Sequence, residues 1–119
     1  MNPTKPKIIV ASHDPSLADV RKRVLENAGF YVIPVSDSPA VEKLCSKHKV
    51  QLIMLGYSLP PDQKRKIWHS ARKKCNAPIL ELHQKGKPEL LEQNVFFHEA
   101  HRPDDFLDRV QELLRSPNE

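Results

Sequence analysis

Glycine is scarce: there are three in 119 residues. The chain carries no GxGxxG and no Walker loop, which argues against nucleotide binding on a glycine-rich turn. Two cysteines are too few for a disulfide scaffold and suit a reducing, cytoplasmic setting. No apolar run approaches the roughly 20 residues that cross a bilayer, and Met1–Pro6 has no leader-like apolar stretch. No membrane association is expected. Hydrophobic residues make up 39% and charged residues 29%, enough for one core and too mixed for disorder. Residues 1–119 are therefore expected to form a single domain with no separate output domain.

Charge is unevenly spread. Residues 1–60 hold eight Lys and Arg against five Asp and Glu, and residues 61–75 hold six against one. Residues 76–119 reverse the sign, with five against nine. The basic excess falls on one helical segment, where Arg65, Lys66, His69, Arg72 and Lys73 lie away from Ile67, Trp68, Ala71 and Cys75. Without interleaved exposed aromatics or a nucleic-acid motif, that arc reads as a solvated face, and no nucleic-acid partner is expected. Trp68 reads as core edge, and Cys45 and Cys75 as small core hydrophobes.

Strand-like and helix-like patterns alternate. Lys7–Ala11 is short, apolar and β-branched; Asp14-Pro15 then supplies a cap and a first helical residue. Leu17, Val20, Val24, Leu25 and Ala28 follow at helical spacing, closed by Gly29. Phe30–Val35 reads as an edge strand because Pro34 cannot donate to a ladder. Ser38-Pro39 opens a second helix through Val41, Leu44 and Cys45. Val50–Leu55 is the longest apolar run and suits a strand covered on both faces. A third helix follows Pro60-Pro61, then a strand at Pro78–Leu82, a short helix near Lys87–Leu91, a strand at Val95–Phe97 and a final helix from Pro103. The pattern predicts an α/β fold: a flavodoxin-like, doubly wound, five-stranded parallel sheet of order 2-1-3-4-5 with helices on both faces. Its core is expected in Ile8, Ile9, Val10, Leu52, Ile53, Met54, Leu55, Ile79, Leu80 and Leu82. Leu17, Val24, Ile67, Ala71, Phe106 and Val110 should pack on that layer.

Sites in such folds lie at the carboxyl ends of the strands. There the sequence places Ser12-His13-Asp14, Gly56-Tyr57, His83, and His98-Glu99 with His101 beyond. Magnesium needs clustered carboxylates, and at most Asp14 and Glu99 are on offer, with Asp14 committed as a helix cap. Gly56 has no side chain to accept a phosphoryl group.

The element order resembles the response-regulator receiver family of two-component signalling over essentially the whole length. The resemblance rests on Lys7-Ile8-Ile9-Val10 before Asp14-Pro15, Leu25–Phe30, Gln51–Leu55 leading to Leu59-Pro60, and Ala77–Leu80. It implies a phosphorylation pocket whose matching positions are all substituted. Ser12 and His13 stand for the acidic pair that binds magnesium, with Asp14 one place late. Gly56 stands for the phosphoacceptor aspartate, His83 for the serine or threonine, and His98 or Glu99 for the lysine. The expectation is a stand-alone degenerate receiver, a pseudo-receiver that is not an enzyme and binds no cofactor or metal. It would work in signal transduction by binding a protein: a kinase, a regulator, an output protein or a second copy of itself. The resemblance implies a partner face on the fourth helix, fifth strand and fifth helix, here Glu89, Glu92, Phe96, Asp104, Asp105, Asp108 and Glu112. Two alternatives stand beside it. One is a phosphorelay receiver with a nonstandard acceptor such as Tyr57, Ser58 or a histidine. The other is a metal or small-ligand sensor on His13, His83 and His98.

Overall fold

The computed structural model describes residues 5–84, 88–102 and 104–115. Five strands, β1 (Lys7–Ala11), β2 (Tyr31–Val35), β3 (Val50–Leu55), β4 (Ile79–His83) and β5 (Val95–Glu99), form one sheet of order β2-β1-β3-β4-β5. Every neighbouring pair is parallel. Among the described residues four helices connect or close it: α1 (Pro15–Asn27), α2 (Ser38–Lys47), α3 (Pro61–Lys74) and α4 (Leu107–Arg115). This is the flavodoxin-like arrangement that the alternating pattern predicts, with Pro34 on the edge strand β2 opposite Val10.

Alternation along each strand sorts the core into two layers. Ile9, Ala11, Ile53, Leu55 and Ile79 face α2 and α3, where Val41, Cys45, Ile67 and Ala71 meet them. Ile8, Val10, Leu52, Met54, Leu80 and Leu82 face the other way, against Leu25, Phe106 and Val110. The ten strand residues expected in the core are all buried, as are Ile67, Ala71, Phe106 and Val110; Leu17 and Val24 are half-buried. Helix starts follow local chemistry. Asp14 Oδ1 accepts from the N–H groups of Ser16 (3.0 Å) and Leu17 (3.2 Å), and Asp37 Oδ1 accepts from Ala40 N–H at 3.1 Å. Gly29 sits at φ 99°, the left-handed position that ends α1.

Three expectations need correction. Residues 88–91 are not helical; Lys87 lies outside the described residues. The reason is a competing acceptor: the Glu81 carboxylate takes the N–H groups of Glu89 (3.1 Å) and Leu90 (2.9 Å), so that stretch bonds to β4 rather than to itself. The last helix starts at Leu107; Pro103 is outside the described residues, and 104–106 form a turn. Third, Val20 is 37% exposed, while its neighbour Arg21 is 3% exposed. Arg21 stands four residues from both Leu17 and Leu25, so it occupies the centre of the buried stripe.

Glu81 is fully buried, and its charge is met by Lys64 of α3, itself 2% exposed. Lys64 Nζ reaches Glu81 Oε2 and Glu89 Oε1, each at 2.7 Å. One ammonium thus joins α3, β4 and the connection to β5. Removing one partner of a buried pair leaves the other charge without compensation. Lys64→Met is expected to lower unfolding stability by about 3–5 kcal/mol in urea denaturation. Lys64→Met combined with Glu81→Leu should recover a large part of that loss.

Candidate functional site

The carboxyl ends of β1, β3, β4 and β5 bring the sequence-predicted positions to one edge, where the side chains of Ser12, Asp14, His83 and His98 are already engaged. Ser12 is 6% exposed. Its hydroxyl accepts from Asp14 N–H at 3.0 Å and donates to the Asp14 carbonyl at 3.2 Å. The Asp14 carboxylate caps α1. His13 and Glu99 are exposed. His83 Nδ1 contacts the Gln84 carbonyl at 2.9 Å. His98 Nε2 lies 2.9 Å from Asp105 Oδ1. Among the described residues, no three His, Cys, Asp or Glu side chains gather as a metal-ligand set.

The centre of the pocket is Gly56 with Arg21 above it. A Cβ placed on Gly56 would lie 2.5 Å from Arg21 Nη1, 3.3 Å from Ser12 Oγ and 3.4 Å from the Ala11 carbonyl. Arg21 therefore fills the space a side chain at position 56 would enter. Its guanidinium carbon is 5.3 Å from the centroid of the Tyr57 ring, a cation–π distance. Nη1 is buried and has no hydrogen-bond partner among the described residues. Burial pulls the guanidinium pKa below its ordinary value, and the nearby Tyr57 and Asp14 oppose that pull. Sequence reasoning missed this residue; its signal was the spacing Leu17, Arg21, Leu25, a cation in the middle of an apolar stripe.

Magnesium, the ion that the receiver resemblance implies, does not fit here. The position facing Gly56 holds a buried cation, which repels a second one, and Asp14, the carboxylate close by among the described residues, is spent as a helix cap. A cleft of about 90 Å³ opens beside Arg21. Its walls are Leu17, Leu82, Phe106 and Ala100, with Tyr57, Gln84, His101 and Arg102 supplying polar atoms.

The acidic positions expected to form a partner face divide into two groups. Glu89 pairs with Lys64, and Glu112 pairs with Arg109 at 3.0 Å. Asp105 is bound inward: besides His98, it accepts from the N–H groups of His101 (2.7 Å) and Arg102 (3.0 Å). Glu89 and Glu112 are nonetheless exposed, as are Glu92, Asp104, which lies 3.9 Å from Arg102 Nε, and Asp108; Phe96 is half-buried with Arg109 over its ring. Leu91, beside Glu92, is 76% exposed.

No protein-family model matches the chain, and no curated protein matches it. Solved structures do. A response regulator from Thermotoga maritima superposes with a TM-score of 0.74 at 17% identity, covering 95% of this chain and 100% of that one. A receiver domain from Methylobacillus flagellatus, described as CheY-like, gives 0.74 at 14% identity, covering 92% and 99%. The receiver domain of the hybrid histidine kinase CckA gives 0.73 at 18% identity, covering 91% and 98%. The fold of this chain is the receiver fold. Among the described residues, no helix is long and apolar enough to cross a membrane.

Burial raises the Asp105 pKa, but the hydrogen bonds from His98, His101 and Arg102 outweigh it and hold the carboxyl below its usual range. A depressed folded pKa stabilises above the unfolded value and loses that contribution as pH falls through the folded one. Asp105→Asn should therefore cost about 1–3 kcal/mol at pH 7. Its stability difference from the parent should shrink below about pH 4, measured by urea denaturation across pH.

Proposed function

We propose that this chain is a degenerate receiver that acts in two-component signal transduction through protein–protein contact, without aspartyl phosphorylation and without catalytic activity. The observation that carries the reading is the contact between Arg21 Nη1 and the Cβ position of Gly56. A phosphoacceptor requires a nucleophilic carboxylate with room for an incoming phosphoryl group and a divalent cation to offset its charge. At this edge a guanidinium takes the room, and its positive charge opposes the cation. Ser12 and Asp14 are bonded to each other and to the start of α1, which removes them as alternative ligands. Tyr57 is occupied as the platform under Arg21, which argues against it as a substitute acceptor.

What a receiver retains without its chemistry is a shaped surface. The fold likeness to the receiver domains of signalling proteins supports a kinase, regulator or output protein as partner. On this chain the exposed part of the expected face is Glu89, Glu92, Asp104, Asp108 and Glu112, with Leu91 as an exposed apolar contact. Exposed carboxylates of one sign steer encounter with a basic partner, and one apolar anchor adds affinity.

Acetyl phosphate with magnesium should leave the intact mass of the protein unchanged. Gly56→Asp alone should also stay unmodified, because the ligands for magnesium are still missing. Magnesium should not shift the thermal midpoint of the parent. A stoichiometric gain of one phosphoryl group, released by hydroxylamine, would refute the proposal.

A further inference from the structure

Two features of the molecule go beyond the proposal above: the unsatisfied Nη1 of Arg21 and the cysteine pair.

A buried guanidinium without an acceptor is costly, because the hydration it gives up is not replaced. Arg21 is 3% exposed, and Nη1 has no hydrogen-bond partner among the described residues. The ring of Tyr57 compensates one face only. The cleft beside Arg21 measures about 90 Å³. That is room for a few waters or a small oxyanion. Gln84, His101 and Arg102 also line it, and among the described residues no carboxylate does. We propose that this cleft binds a small oxyanion, phosphate or a short carboxylate, with Arg21 as its buried counter-charge. The polarity is then opposite to that of a magnesium pocket at the same sheet edge. The inference rests on the reading that Gly56 is not a phosphoacceptor, and it concerns reversible binding only.

The test is thermal denaturation of the full chain in sodium phosphate, sodium acetate or sodium chloride at matched ionic strength and pH. Phosphate or acetate should raise the midpoint saturably by roughly 3–5 °C over chloride. A response to phosphate alone assigns a phosphoryl oxyanion, and a response to acetate alone assigns a carboxylate. Arg21→Gln should abolish the rise. Arg102→Gln, at a side chain 75% exposed and so safe for folding, should weaken binding several-fold. Equal midpoints in all three salts, or an undiminished rise in both variants, would overturn the proposal. A covalent mass gain from acetyl phosphate would instead count against the phosphorylation reading, so the two failures are distinct.

The second feature lies at the opposite end of the sheet. Cys45, near the end of α2, and Cys75, the residue that caps α3, place their sulfurs 2.7 Å apart. A disulfide needs about 2.05 Å, so closure asks for about 0.65 Å of movement. Cys45 is 6% exposed; Cys75 is half-buried on a groove that also carries His48, Lys49 and Lys74. The geometry points to a redox dithiol that a peroxide closes into an intramolecular Cys45–Cys75 disulfide. The Cys75 thiolate attacks one peroxide oxygen, giving a sulfenic acid and hydroxide. The Cys45 sulfur then displaces hydroxide from that sulfur. The sum is two thiols and hydrogen peroxide to one disulfide and two waters, with two electrons passing from sulfur to oxygen. The order follows exposure and charge. The Cys45 thiol's hydrogen bond pulls the Cys75 pKa down to about 6 against burial, aided by Ala77 N–H and Arg72, while Cys45 is pushed up.

Peroxide should lower the intact mass by about 2 Da, restored by dithiothreitol, and should remove both titratable thiols without dimer formation. In Cys45→Ser, Cys75 should alkylate with a midpoint below that of a free thiol and should gain oxygen instead of closing. Stepwise oxygen addition to the parent, or disulfide-linked dimers, would overturn the inference.

Discussion

Arg21 Nη1 stands 2.5 Å from where the first side-chain atom of any residue but glycine at position 56 would go, so this buried guanidinium must shift to admit one. The carboxyl edge of the sheet is organised around that exclusion. The arginine is held in place because it sits on the inward stripe of α1, between Leu17 and Leu25, and its guanidinium rests on Tyr57. The start of α1 is fixed in turn by the Asp14 cap and by the two bonds of Ser12. Where the receiver resemblance implied carboxylates around a metal ion, this edge holds one buried positive charge.

A second buried cation organises the other face. Lys64 on α3 meets Glu81, in the middle of β4, within the layer formed by Ile53, Leu55 and Ile79. The carboxylate also takes two backbone N–H groups from the chain leaving β4. That capture is why residues 88–91 run irregularly on the way to β5. Trp68 adds to the hold by donating to the Gln93 carbonyl at 3.0 Å. A receiver fold with this surface presents a different relief to a partner from one with a full fourth helix there.

The sheet was legible in the sequence because each parallel strand, covered on both faces, writes itself as a compact apolar run; Val50–Leu55 is the clearest. The edge position of β2 followed from Pro34, and the ends of α1 from Asp14-Pro15 and Gly29. What was not legible is the set of charges turned inward. Arg21, Lys64 and Glu81 break the apolar pattern at positions the pattern assigns to the core, and hydropathy places such residues outside. The connection between β4 and β5 was misread for the same reason: its hydrogen bonds go to a side chain 8 residues back in sequence, which no local pattern encodes. At the pocket, the substituted positions Ser12, Gly56 and His83 could be read from alignment of the elements. Arg21 reaches the same edge from a helix, where nothing in the loop spacing pointed.

The direct measurement is a double-mutant cycle between positions 21 and 56, followed by urea denaturation. Replacing glycine by alanine at a position without positive φ ordinarily stabilises slightly, by restricting the unfolded chain. Here Gly56→Ala should destabilise the parent, because the new carbon displaces Arg21. In the Arg21→Ala background that cost should fall by about 1 kcal/mol or more, a coupling expected only of groups in contact. Costs that add within about 0.3 kcal/mol would contradict the account, because Arg21 would then not occupy the place of the missing side chain.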